Sequence, residues 1–131
     1  MANFDAVPKS VEDNARGVVS AAFEVHSTLG PGLMESVYET AMVAELSERG
    51  IPFERQVVIP VRYKSMVIQA GLRLDLWVDK SLIIELKAVE RLLGVHHAQL
   101  LTYLKLTGNR LGLLFNFNTQ RMKEGIKRIV L

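Results

Sequence analysis

The segment from Leu72 to Lys87 constrains the chain more than any other. It reads Leu-Arg-Leu-Asp-Leu-Trp-Val-Asp, then Lys-Ser, then Leu-Ile-Ile-Glu-Leu-Lys. Apolar residues alternate on both sides of a Lys80-Ser81 turn, the pattern of two antiparallel strands joined as a hairpin. Side chains in a strand point alternately to opposite faces. Leu72, Leu74, Leu76 and Val78 are therefore expected on one face, and Arg73, Asp75 and Trp77 on the other. On the second strand Ile83, Glu85 and Lys87 face together, opposite Leu82, Ile84 and Leu86. Two acids and a lysine thus fall on neighbouring strands inside strongly apolar sequence.

Burying charge without a partner is costly, so acids in a central hairpin need a reason to be there. One is an internal salt bridge, Asp75 or Glu85 with Lys87 or Arg73. The other is a divalent-metal site with oxygen ligands from Asp75 and Glu85 and a lysine beside it. Mg²⁺ is usually held in that way, by one or two carboxylates, retained waters and a substrate phosphate.

The 131 residues are enough for one domain with a core that needs no disulfides. The chain has no cysteine, which excludes thiol catalysis and thiolate-held zinc and fits a cytoplasmic protein. No signal peptide is read at the N-terminus, and no apolar run reaches membrane-spanning length. The net charge of +2 permits nucleic-acid binding without arguing for it. A basic cluster of Arg121, Lys123, Lys127 and Arg128 reads as solvated surface.

Around the central hairpin the periodicity changes. Residues 1–9 read as a loose lead-in. Ser10, with Asp13 three residues on, reads as the cap of a helix running to Leu29, where Gly30-Pro31-Gly32 stops it. A second helix is expected from Leu33 to Arg49, with Leu33, Val37, Ala41 and Ala44 on one side and Tyr38, Met42 and Leu46 on the other. Glu35 falls within that second stripe, one turn from Tyr38; a wetted first-turn acid favoured by the helix dipole would look the same. Phe53–Val61 and Tyr63–Ala70 read as a strand pair around Lys64-Ser65. Val95–Thr107 reads as a third helix closed by Gly108. On it His96, Gln99 and Tyr103 share a face, and Leu100, Leu101, Leu104 and His97 form the core side. Residues 110–117 read as a buried strand, and 126–131 as an edge strand or short helix. The order ααββββαβ, plus that last element, is an α/β domain with a mixed sheet and helices packed on it.

Three short patterns then coincide. Gly32-Leu-Met-Glu35-Ser-Val-Tyr38 matches G-x-x-E-x-x-Y. Asp75 followed by Glu85-Leu86-Lys87 matches the Asp…Glu-x-Lys signature, and Gln99-Leu-Leu-Thr-Tyr103 matches Q-x-x-x-Y just after it. In this order and spacing the chain, from about Ser10 to Leu131, resembles the GxxExxY proteins, a compact branch of the PD-(D/E)XK nuclease superfamily with a RecB-like Q-x-x-x-Y motif. One position departs: Leu74 stands where the superfamily name expects proline.

The resemblance implies a restriction-endonuclease-like core and a metal-dependent nuclease, a hydrolase of phosphodiester bonds using Mg²⁺ or Mn²⁺. It implies that Asp75, Glu85 and the Leu86 carbonyl hold the metal, and that Glu35 joins them directly or through water. Lys87 would steady the attacking water or the developing charge. Gln99 and Tyr103 would orient a substrate phosphate or the lysine, and Tyr38 would support Glu35. The implied partner is nucleic acid, DNA before RNA. The alternative is a non-catalytic accessory module that binds nucleic acid or a protein partner with the same fold. The chain is nearly all core domain, which argues against a free-standing sequence-specific endonuclease. Edge strands offer a surface for a homo-oligomer.

Overall fold

The computed structural model describes residues 6–131. Most of the lead-in therefore lies outside the described residues, and Lys9 already belongs to the first helix. That helix, α1 (Lys9–Leu29), starts two residues earlier than expected. Its N-cap is Pro8, whose carbonyl accepts from Val11 and Glu12; Ser10 caps nothing. Val11, Ala15, Val18, Ala22 and Val25 are buried along one stripe, as their spacing requires. The helix α2 (Glu35–Glu48) buries only one of its two apolar sides, Tyr38, Met42 and Leu46; Leu33 and Val37 stay exposed.

Five strands form one mixed sheet in the order β1-β2-β3-β4-β5: β1 (Phe53–Tyr63), β2 (Met66–Val78), β3 (Leu82–Lys87), β4 (Leu111–Asn116) and β5 (Ile126–Val130). Only β3 and β4 run parallel, joined across one face by α3 (Gly94–Thr107). That is the mixed sheet flanked by helices the sequence implied, with one strand fewer before α3. The strands expected at 63–70 and 72–79 are not separate: Tyr63 ends β1, and Met66–Val78 form the single long β2. Its register against β1 slips between Ile59↔Leu72 and Val61↔Ile68, so Pro60 faces a bulge at 69–71. Ala70 has φ 55°, and a Cβ on Gly71 would lie 2.4 Å from Val61 Cγ2. A glycine-marked bulge thus imitates a turn in the sequence. The β2–β3 turn also sits one residue earlier, on Asp79 and Lys80, both near φ 52°.

The sheet separates two cores. Leu76, Val78, Leu82, Ile84, Leu86 and Phe115 pack under α1 and α2, whereas Ile83 and Leu114 pack with Leu100 and Leu104 of α3. Leu72 and Leu74 belong to the α3 side, so the four alternating leucine and valine positions of β2 do not share one core. The strand turns over at Asp75. Its partner in β1 would be Gln56, which has φ 50° and is missing from the ladder between Arg55↔Leu76 and Val57↔Leu74. On α3, Leu100 and Leu104 are buried as expected, Leu101 only partly, and His97 is exposed rather than core-facing. Of the two C-terminal alternatives for 126–131 it is the strand that forms, as β5, preceded by a 3₁₀ turn at Met122–Gly125. Within the basic cluster Arg128 grips Glu12 through both guanidinium nitrogens at 2.6 and 2.7 Å, tying β5 to α1. No described helix is long and apolar enough to cross a membrane.

Tyr38 holds the turn that launches α2. Its hydroxyl donates to Gly30 O at 2.6 Å and accepts from Leu33 N at 3.1 Å, while its ring stacks on Phe117 at 4.6 Å. Tyr38→Phe keeps the stack and removes both hydrogen bonds. Urea unfolding should show a loss of about 1–3 kcal/mol, the range for leaving polar partners unsatisfied.

Candidate active site

The β2–β3 ladder ends early. Only Val78↔Leu82, Trp77↔Ile83 and Leu76↔Ile84 pair, and beyond them the strands part. In the opening, side chains replace the ladder. Asp75 Oδ2 accepts from the Leu86 amide at 2.8 Å, and Glu85 Oε2 accepts from the Asp75 amide at 3.0 Å. Each carboxylate is fixed by one oxygen and has no partner among the described residues for its other. No buried side-chain polar atom of the described residues lacks a partner, so the free oxygens reach solvent.

The salt-bridge reading of the acids is not met. Neither forms a salt bridge with Lys87 or Arg73 among the described residues; both are anchored on backbone N–H groups. Glu85 is 4% exposed. Burial, and then the charge of Asp75, push its carboxyl up to about 8, against smaller lowering effects of the Asp75 amide and Lys87. Burial likewise raises Asp75; the Leu86 amide opposes this, and the charges of Glu39 and Glu35 add to it.

Lys87, half-buried at the end of β3, lies near enough to lower both carboxyls. Its segment is pinned from β4. Phe117 N donates to Lys87 O at 2.9 Å, and the buried Asn116 side chain accepts from Val89 N and donates to Val89 O, both at 3.0 Å. Tyr103 packs at the rim of the α3 core, its hydroxyl pKa raised by burial and then by Glu85 and Asp75. Gln99, one turn earlier, is exposed and makes no hydrogen bond among the described residues. His96 accepts from Leu93 N at 3.0 Å through Nδ1, a helix-start role rather than a ligand's. Of Leu86 it is the amide that meets Asp75.

Glu35 is the first residue of α2 and exposed; its charge is felt by both carboxyls, but it does not close a cluster with them. Among the described residues no group of three or more His, Cys, Asp or Glu side chains is gathered for a metal. Sequence reasoning missed the acid one turn further on. Glu39 accepts from Arg55 at 2.8 Å and from Gln56 at 2.5 Å, and its charge acts on Asp75 more strongly than that of Glu35. The i, i+4 spacing of Glu35 and Glu39 was the available signal. Asn116, a lone amide in a buried apolar strand, was another.

A family model described as the PD-(D/E)XK nuclease superfamily matches residues 12–129. The chain belongs to that superfamily. No curated protein and no solved structure matches it. PD-(D/E)XK nucleases generally use divalent metal ions. The donor set here fits a hard cation. Two carboxylate oxygens are left free beside a lysine, and waters and a substrate phosphate complete such a shell in Mg²⁺ sites.

The raised carboxyl carries a pH signature. Glu85 binds its proton more tightly folded than unfolded, relative to an ordinary value of 4.5. Its contribution to stability is therefore fully present below about 4.5 and is lost as pH rises toward about 8. Cation-free thermal melts should show the Tm falling across that window, and Glu85→Gln should flatten the fall. A companion pair isolates the backbone contact. Asp75→Ala orphans the Leu86 amide and should cost about 1–3 kcal/mol in denaturant unfolding. Asp75→Asn keeps an acceptor there and should cost less.

Proposed function

We propose that this chain is a Mg²⁺- or Mn²⁺-dependent nuclease of the GxxExxY type, hydrolysing phosphodiester bonds in DNA in preference to RNA. The observation that carries the reading is the parted β2–β3 edge, where Asp75 and Glu85 are each locked to the backbone by one oxygen. Their second oxygens stand free beside Lys87. The motif residues Gly32, Glu35 and Tyr38 support the subfamily, Tyr38 by holding the turn that places Glu35.

Asp75 and Glu85 would hold the cation, with the Leu86 carbonyl as a third donor and Glu35 joining them directly or through water. The bound cation supplies charge neutralisation at the phosphate and a lowered pKa for an attacking water. The Lys87 ammonium stabilises negative charge as it develops on the phosphate oxygens. Tyr103 and Gln99 orient the phosphate from α3. Because Glu85 must lose a proton to serve as ligand, cation affinity rises with pH toward about 8, with proton release on binding.

Cleavage of single- and double-stranded DNA and RNA with Mg²⁺ or Mn²⁺ tests this, with Lys87→Ala as control. Wild type should cut only with the cation, and the folded variant should be slower by roughly 100-fold or more, the scale for removing a charge-stabilising group. A Tm that rises with Mg²⁺ in a wild type that cuts nothing would reject the enzyme in favour of a binding module.

A further inference from the structure

The opening at Asp75 is also the root of an arm. Beyond Asp75 and Gln56, β1 and β2 continue together as a two-stranded ribbon closed by Lys64-Ser65, and residues 62–71 are all exposed. The 20 residues from Arg55 to Leu74 contain no acid but carry Arg55, Arg62, Lys64 and Arg73. Arg55 is paired with Glu39. Arg62, Lys64 and Arg73 are exposed and make no ion pair among the described residues; Lys64 lies over the Tyr63 ring at 5.3 Å.

The register sorts the ribbon into two faces. Arg62 opposite Val67, and Arg73 opposite Val58, share one face; Tyr63 opposite Met66, and Val61 opposite Ile68, share the other. Tyr63 and Met66 are each 58% exposed. Three free cations call for an anionic partner, and the exposed apolar tip for one that also presents flat apolar surface. A second copy fits poorly. Two-fold contact of the arm with itself would bring like cations together with no acid to meet them, and Pro60 removes an N–H from the edge strand.

We propose that the β1–β2 arm grips duplex DNA and lays it across the carboxylates at its root, a step that rests on reading those carboxylates as a phosphodiester site. A two-stranded ribbon fits the B-form major groove, about 12 Å wide, whereas the A-form groove of duplex RNA is too narrow and deep. From Met66 to Asp75 the strand spans at most about 30 Å at roughly 3.3 Å per residue; its root at Leu72 and Leu74 packs on α3, so residues 62–71 are the part that stands clear to enter the groove. Arg62, Lys64 and Arg73 meet phosphates, while Tyr63 and Met66 contact base edges such as the thymine methyl.

Fluorescence anisotropy with a labelled 20-base-pair DNA duplex, in Ca²⁺ and over a range of salt, tests the arm directly. The comparison is wild type against the R62A/K64A/R73A variant, its fold verified by thermal melt. Wild type should bind the duplex more tightly than the matching single strand or RNA duplex. The variant should bind at least about tenfold more weakly, and its slope of log K against log salt should be smaller by about 2–3, for three phosphate contacts at about 0.9 each. Equal binding by the variant overturns the proposal, as does a wild type that ignores the duplex or prefers phosphatidylserine vesicles. So does a Met66→Ser/Ile68→Ser protein that turns from dimer to monomer in sedimentation with duplex affinity unchanged. The two readings separate cleanly. Arm-dependent binding without cleavage in Mg²⁺ removes the nuclease and keeps the arm; cleavage and affinity untouched in the triple variant do the reverse.

Discussion

Two hydrogen bonds between side chain and backbone hold the centre of this molecule together. Where β2 and β3 separate beyond Leu76 and Ile84, the amides of Asp75 and Leu86 would lose their ladder acceptors. Glu85 and Asp75 supply the acceptors instead, each from the opposite strand. A buried amide left unpaired is costly, and so is a buried carboxylate without a donor; here each need answers the other. The exchange uses one oxygen of each carboxylate and leaves the second without a hydrogen-bond partner among the described residues.

The surroundings of the fork are built to the same end. Gln56 abandons the ladder opposite Asp75 and turns its amide to Glu39, which Arg55 also holds. Behind β3, Asn116 and Phe117 fix the backbone at Lys87 and Val89. In front, Tyr38 ties down the turn from which Glu35 rises. The outcome is an excess of negative charge around the two central carboxyls: Glu39 and Glu35 act on Asp75, Asp75 and Glu35 act on Glu85, and Lys87 is the cation that acts on both. Protons relieve that excess at low pH, and the cation proposed for the site would relieve it above. That links the pH behaviour of the fold to the chemistry proposed for the site.

Much of this was legible in the sequence, because the strongest patterns are local. The hairpin, the three helices and the buried strand β4 follow from alternation, helical spacing and glycine stops. Asp75, Glu85 and Lys87 stood out as charges in apolar strands, and the structure puts them together. What the sequence hid is non-local. Gly71 looked like a strand boundary, because a bulge and a turn use the same residue. The turning over of β2 at Asp75 depends on Gln56, nineteen positions earlier. Glu39 joins the site only through the packing of α2 beside β1. His97 looked core-facing because the apolar stripe of α3 is narrower than its spacing implied.

The most direct test is where a paramagnetic cation sits. In a ¹⁵N-labelled sample at about pH 8, Mn²⁺ added in trace amounts should broaden the amide resonances of Asp75 and Leu86 first, with Glu85 and Lys87 close behind. The broadening should vanish in an Asp75→Asn/Glu85→Gln double variant that keeps its fold. Broadening centred elsewhere, or surviving unchanged in that variant, would contradict the assignment of the parted β2–β3 edge as the cation site.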